Sequence, residues 1–361
     1  MKKILYLFGI FSFVLILTGQ GCVSLSGNNE SGSGPAGIFV TADRGDSWRQ
    51  ISLLPTAEGV EQLSNVSVYR MFNDPQDSKT IYWASRQNGL YYTYDEGKTW
   101  QHSVAPLDKG FIYSVAVHPA DQCNVYATNG FRVFKTENCN RSWVEVHREE
   151  RERARVTSIA INQFSPYQVF ITKANGEILR SNDSGDSWTV VARVKNGDFA
   201  EIKASPLEKD LLYVASKDEG LFRTEDAGDT WQSLEESFDD FAESLEFRRF
   251  ELHSSSTSTL YWISTYGILK SEDAGNSWQP FELITPPGSA DIYGFAVNPN
   301  NEDEIFYTAT IKGKSIFYRS NDGGVSWTTK KLPSGQVPTY LRIHPEKDNI
   351  IYLGFTILPS N

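Results

Sequence analysis

Three arginines, a glutamate and a tyrosine are the residues of this chain whose types and spacing could do chemistry. Arg70, Glu201, Arg249 and Tyr340 each lie in an alternating β-like run that recurs once per sequence unit, and Arg342 follows two places after Tyr340. Positions two apart on a strand share a face. Aligning the runs on the turns that end them puts Arg70, Ser114, Ser158, Glu201, Arg249, Gly294 and Tyr340 in one column. Phe72, Ala116, Ala160, Lys203, Glu251, Ala296 and Arg342 fall in the next. If the runs line a common channel, guanidinium groups converge on it and suit a ligand carboxylate or phosphate. Glu201, Lys203 and Glu251 share those columns, so ion pairing between units is the alternative reading.

Other chemistries find less support. His118, His253 and His344 recur at one place in the unit, at the end of the run, which marks them as turn residues and not as a converging metal trio. No Ser-His-Asp arrangement, phosphate-cradling glycine loop or distinguishable catalytic carboxylate pair is visible. No cofactor and no metal is expected.

The elements that must position the columns are set by an eight-residue box, [Ser/Thr]-x-Asp-x-Gly-x-[Ser/Thr]-Trp. It occurs from Thr41 to Trp48, Thr93 to Trp100, Thr136 to Trp143, Ser181 to Trp188, Thr224 to Trp231, Ser271 to Trp278 and Ser320 to Trp327. A β-rich run precedes each box and an alternating run follows, so the box reads as a hairpin turn. Its acidic position is Asp43, Asp95, Asn138, Asp183, Asp226, Asp273 and Asp322 in turn. The carboxylate is expected to cap backbone N–H groups one and two residues ahead, the glycine to take positive φ, and the tryptophan to anchor the next strand inward. In the third copy Asn138 and Asn140 replace Asp and Gly, with compatible turn chemistry. One carboxylate per box is too few for a calcium loop.

The box tryptophans recur about every 45 residues, the period of a four-stranded propeller blade. Residues 37–51 supply only the outer half of a unit, and 339–354 only the inner half. The expected fold is therefore all-β, a seven-bladed β-propeller of four-stranded antiparallel blades, with one blade shared by the N- and C-terminal strands. Segments 235–244 and 148–155 read as solvated connecting loops, the first with a short helix.

These boxes resemble the Asp-box, or BNR, repeat of sialidases, xyloglucanases, sortilin-type receptors and the photosystem II assembly factor. The resemblance covers nearly everything after residue 36, and six of the seven copies keep both Asp and Gly. A sialidase would need an arginine triad, a tyrosine nucleophile with its glutamate, and an acid; Arg70, Arg249, Arg342, Tyr340 and Glu201 are the available residues. The sialidase Arg-Ile-Pro signature is absent, and that family has six blades. Xyloglucanases share seven-bladed units but work between two tandem propellers, and this chain has length for one. The plan is most similar to the assembly-factor type, whose members are non-catalytic and bind protein partners at a membrane. That family's partner-binding residues have no matching motif here.

The chain carries a net charge of −11 over 361 residues, which disfavours nucleic acid as a partner. Residues 1–21 read as an export signal: Lys2 and Lys3, then the apolar run from Ile4 to Thr18. Cys22 stands where a bacterial lipoprotein is cleaved and lipidated, although Gly19 occupies the usually aliphatic −3 position; ordinary cleavage is the alternative. Segment 22–36 reads as a flexible tether and 37–361 as the propeller. Cys123 and Cys139 flank a hairpin turning at Asn129 and Gly130, so a disulfide is expected in an oxidising compartment. The expectation is an exported, membrane-anchored, non-catalytic scaffold for a membrane or envelope protein, with a glycan-processing hydrolase as the alternative and a glycan as the other possible ligand.

Overall fold

The computed structural model describes residues 32–195 and 197–358. The expected signal segment and Cys22 lie outside the described residues. Of the expected tether only 32–36 are described, and these are pinned: Ser334 Oγ donates to the Pro35 carbonyl at 2.7 Å and the Gly335 N–H to the Ser33 carbonyl at 2.9 Å.

The fold is a seven-bladed β-propeller of four-stranded antiparallel sheets. Six blades follow in order over 68–102, 114–148, 156–193, 199–233, 247–280 and 291–330. The seventh is the composite expected from the half-units, with strand order Arg49–Gln50, Gly37–Thr41, Ile351–Thr356, Val337–Ile343. Its seam pairs Phe39 with Leu353 and Thr41 with Ile351, giving both termini's strands backbone partners. A further hairpin, Leu53–Thr56 with Gly59–Gln62, rises between the seventh and first blades. No strand is legible there in the sequence, because Pro55 and the polar run after it do not alternate.

Second strands such as Ile81–Ser85, Leu212–Ser216 and Leu260–Ser264 are buried at every position. Neighbouring blades cover both of their faces, so they read as continuous apolar runs. One register within them is aromatic in all seven blades: Tyr82, Tyr126, Phe170, Tyr213, Tyr261, Phe306 and Tyr352, each no more than 2% exposed. They pair across the sheet with Phe72, Ala116, Ala160, Lys203, Glu251, Ala296 and Arg342. Several reach the next blade's box. Tyr126 Oη donates to the Ser184 carbonyl at 2.8 Å, and the Phe170 ring sits 3.3 Å from where a Cβ on Gly228 would stand. The box glycine thus serves both a φ of 89° and a close ring approach.

The box turn differs in detail from expectation. In the fifth blade the Ser277 N–H and hydroxyl donate to the two Asp273 oxygens at 2.8 and 2.6 Å, so the carboxylate caps four residues ahead. The Ser271 hydroxyl donates to Asp273 and accepts the Gly275 N–H, both at 2.8 Å. Asp43, Asp95, Asp183, Asp226 and Asp322 bond in the same way. The residue before the glycine also has positive φ, 59° at Ala274 and 57° at Ala227. Asn138 reproduces the turn, accepting the Ser142 N–H at 3.0 Å, and Asn140 adds bonds to Tyr82 and Tyr94 of the preceding blade. The tryptophans bridge blades: Trp100, fully buried, donates Nε1 to the Ile51 carbonyl, and half-buried Trp188 donates Nε1 to the Val146 carbonyl.

The two insertions are not free loops. In the first, Glu149 is 7% exposed and accepts from Lys173 at 2.8 Å and Arg151 at 3.0 Å, which clasps the second blade to the third. In the second, a 3-10 turn over Glu235–Phe238 drives Phe238 against Trp278, ring centroids 5.0 Å apart. Polar composition hides such single anchors.

Cys123 and Cys139 form the expected disulfide, with Cα atoms 4.0 Å apart. Closing a loop with a sequence separation of 16 is worth about 3 kcal/mol in the chain-entropy account. Cys123→Ser with Cys139→Ser should lower stability by about that amount in urea titration, and a change below about 0.5 kcal/mol would show that the bridge constrains nothing.

Candidate functional site

The inner strands place both sequence columns on the central channel. Arg70 of the first blade crosses to Glu201 of the fourth, Nη1 to Oε1 at 2.9 Å, with both side chains 10% exposed. Lys203 Nζ lies 3.6 Å from Glu201 and 2.6 Å from Glu251, and donates to the Phe250 carbonyl at 2.6 Å. Arg249 lies over the Tyr340 ring at 4.1 Å and reaches Glu251 only at 3.8 Å. Arg342 is 7% exposed, and none of its three guanidinium nitrogens has a hydrogen-bond partner among the described residues. Of the five nominated residues, Arg70 pairs with Glu201 and Arg249 stacks on Tyr340, while Arg342 stands without a hydrogen-bond partner among the described residues. The ion-pair alternative describes Arg70 and Glu201, and not Arg342.

Burial alone would push the Glu201 carboxyl up, but Arg70, Lys203 and Arg249 outweigh it and hold the group below the ordinary carboxylate range. Burial likewise opposes the Lys203 ammonium, which Glu201 and Glu251 nevertheless raise. Burial pushes the Tyr340 phenol up. For Arg342, burial has no carboxylate to offset it and pulls the guanidinium down to about 10.

Two recesses open from the channel. One, about 510 Å³, is bounded by Arg70, Glu201, Lys203 and the turn from Asp74 to Ser78. The other, about 360 Å³, lies against Tyr340, Arg342, Phe295 and Pro299. Both border the turns after the inner strands, which lie at the same end as the boxes.

Those turns carry a signature of which the sequence shows only a part. His118, His253 and His344 are turn residues as expected, and Asp74, Asn162, Ser205 and Asn298 occupy the same place in the other blades. Each accepts the N–H two residues on: Gln76 to Asp74 at 2.8 Å, Ala120 to His118 Nδ1 at 3.1 Å and Ser255 to His253 Nδ1 at 3.2 Å among them. The shared property is an acceptor atom at a fixed reach, which residue identity disguises. Burial depresses all three histidines, and pulls His147 down to about 4 with help from Lys173. A folded pKa below the unfolded value means that the unfolded chain binds more protons. Stability should therefore be complete above about pH 6.5 and decline as pH falls toward 4. Changing His118, His253 and His344 to Asn keeps the acceptor and should flatten that decline in melts at stepped pH; an unchanged slope would assign it to other groups.

Fold and channel define a propeller whose inner strands carry buried, mutually paired charge and, at Arg342, a guanidinium unpaired among the described residues. The chain belongs to the Sortilin-Vps10 family, described as Sortilin, neurotensin receptor 3, whose model matches residues 36–176 and 176–267. It is similar to a xyloglucanase of Paenibacillus sp, 24% identical over 286 residues, 72% of this chain and 25% of that protein. The chain thus spans about a quarter of the length of the curated relatives it matches. Among solved structures, the GH74 xyloglucanase of Xanthomonas campestris superposes with a TM-score of 0.64 at 16% identity, covering 86% of this chain and 52% of that one. YCF48 bound to D1 peptide superposes with a TM-score of 0.60 at 17% identity, covering 90% of this chain and 100% of that one. These likenesses establish the propeller.

Proposed function

We propose that this protein is a non-catalytic, membrane-anchored propeller that binds a protein partner, in the manner of an Asp-box assembly factor. The observation that carries the reading is an aromatic and guanidinium cluster on the face opposite the boxes. Half-buried Tyr69, Phe111 and Tyr113 lie with ring centroids 4.2–6.5 Å apart. Arg86 covers Tyr69 at 5.5 Å and Arg155 covers Tyr113 at 5.7 Å. Phe131 and Val104, from loops of the same blades on that face, are 41% and 45% exposed. Tyrosine and arginine are the residues that concentrate binding energy at protein interfaces. Anchoring is proposed through lipidated Cys22; residues 32–36 enter the propeller on this same face.

The relatives named xyloglucanases favour a second reading, a glycan-processing hydrolase. The channel offers it little. A general acid must be protonated at working pH, whereas Glu201 is held ionised and Glu251 accepts Lys203. Asp74 is pushed up by burial but already accepts the Gln76 N–H at its turn. The raised Tyr340 phenol is a poor nucleophile.

The deciding experiment compares wild type with Tyr113→Ser and Arg86→Glu in pull-downs from detergent-solubilised membranes, alongside turnover assays on β-glucans and sialosides. Retention by wild type and loss by both variants is expected, without turnover. Hydrolysis that Glu201→Gln abolishes would sink the scaffold.

A further inference from the structure

We infer that the rim of the propeller around the entry of residues 32–36 docks directly on an anionic lipid bilayer, through the basic hairpin tip of the sixth blade and the end of the last strand. The inference deepens the membrane reading under which Cys22 anchors the chain, and the contact itself needs no lipid on Cys22. Strands Asn301–Ile311 and Lys314–Ser320 pair at seven positions, from Ile305 with Ser320 to Ile311 with Lys314, where the corresponding hairpins of the first five blades pair at four. The ladder reaches its two-residue turn, so the tip is a rigid projection on the face opposite the boxes. Lys312 and Gly313 form that turn at φ 49° and 76°. Positive φ is a conformation that lysine adopts at a cost, and the hairpins of the first three blades have Asn88, Asn129 and Asn175 before their glycines instead.

Lys312, Lys314 and Lys331 are exposed and pair with no carboxylate among the described residues, whereas Arg319 and Lys330 beside them pair with Glu304 and Asp46. Ile316, on the same side of its strand as Lys314, is 37% exposed. Ala36, Phe317 and Leu332 share one apolar cluster, which places the hairpin beside the segment through which the chain enters. The last strand, Ile351–Thr356, ends on this face next to Gly37, and Ile357 and Leu358 after it are 40% and 58% exposed. Neither channel recess borders these side chains. Apolar tips among lysines suit a planar lipid surface: ammonium groups meet headgroup phosphates while their stems and the aliphatic side chains reach the acyl boundary. Lysine is depleted from protein interfaces, which favours lipid over a protein at this rim. The opposite face carries the six box aspartates, so an anionic bilayer repels it and one orientation docks. Gly32 stands ten residues after Cys22, a reach of at most about 35 Å, and an anchor there would hold the rim at high effective concentration over the bilayer.

Reconstitution of the membrane-extracted full chain into vesicles tests the contact. A fluorophore is placed on Ile316→Cys or Leu358→Cys and, on the opposite face, on Val325→Cys, where the natural side chain is 80% exposed. In phosphatidylglycerol vesicles, brominated lipid should quench each rim label at least about threefold more than the Val325→Cys label. Lys312→Glu combined with Lys314→Glu should remove that excess, as should phosphatidylcholine vesicles or about 0.5 M salt, while the melting midpoint reports a folded protein. Equal quenching on the two faces, an excess that persists in phosphatidylcholine, or an excess unchanged by the charge reversal would each overturn the docking. Intact mass of the same preparation reads the lipid on Cys22 separately: an unmodified Cys22 would sink the anchor, and quenching at the rim would still decide the docking.

Discussion

Arg342→Met should make the protein more stable, by about 2–3 kcal/mol, a rise of several degrees in its melting midpoint. Losses from buried substitutions are the rule, so the sign is the informative part. The guanidinium is 7% exposed and its nitrogens have no acceptors among the described residues. Burial brings its pKa down to about 10, and each unit is worth about 1.4 kcal/mol of disfavoured charged form. Methionine keeps much of the length and apolar stem while removing the unpaired charge. Scanning calorimetry without added ligand checks it. A midpoint at or below wild type would mean that Arg342 is already satisfied.

Arg70→Ala should have the opposite effect, a loss of about 3–5 kcal/mol. Its removal leaves Glu201, 8% exposed, with Lys203 at 3.6 Å as the nearest cation and one oxygen already lacking a partner among the described residues. The cost comes from stranding the carboxylate, because a buried pair contributes little net stability when intact. Arg70→Met combined with Glu201→Leu should therefore recover most of the loss, appearing as strong coupling in a double-mutant cycle followed by the denaturant midpoint at constant m. Additive single and double losses would show that the two side chains do not depend on one another. Side by side, the two arginines separate a paired charge from an unpaired one in the same channel.

How the chain reveals itself differs from level to level. The boxes were legible because hairpin closure depends on residues within eight positions, and seven copies supply the period. The half-units at 37–51 and 339–354 implied the composite blade. The cap reaches farther than the sequence suggests: Asp273 accepts from Ser277, four residues ahead, and not from its nearest neighbours, because two successive residues with positive φ curl the turn back over the carboxylate. The aromatic register from Tyr82 to Tyr352 went unnoticed among continuous apolar strands, where alternation gives no contrast. Glu149 and Phe238 sat in segments whose composition looked like solvent-exposed loop, since one buried anchor among charges barely changes the average.

By itself the sequence determined the blade, its turns, the number of blades, the way the ring closes and which residues occupy the channel columns. Each follows from short-range chain geometry repeated along one dimension. Which charges satisfy one another was decided only in three dimensions. Arg70 meets Glu201 across the channel, Lys203 joins Glu201 to Glu251, and Arg342 is left without a partner among the described residues, bordering a recess with Phe295 and Ala296. Ring closure sets those distances, and electrostatic pairing in a low-dielectric channel depends on them far more steeply than any sequence pattern records.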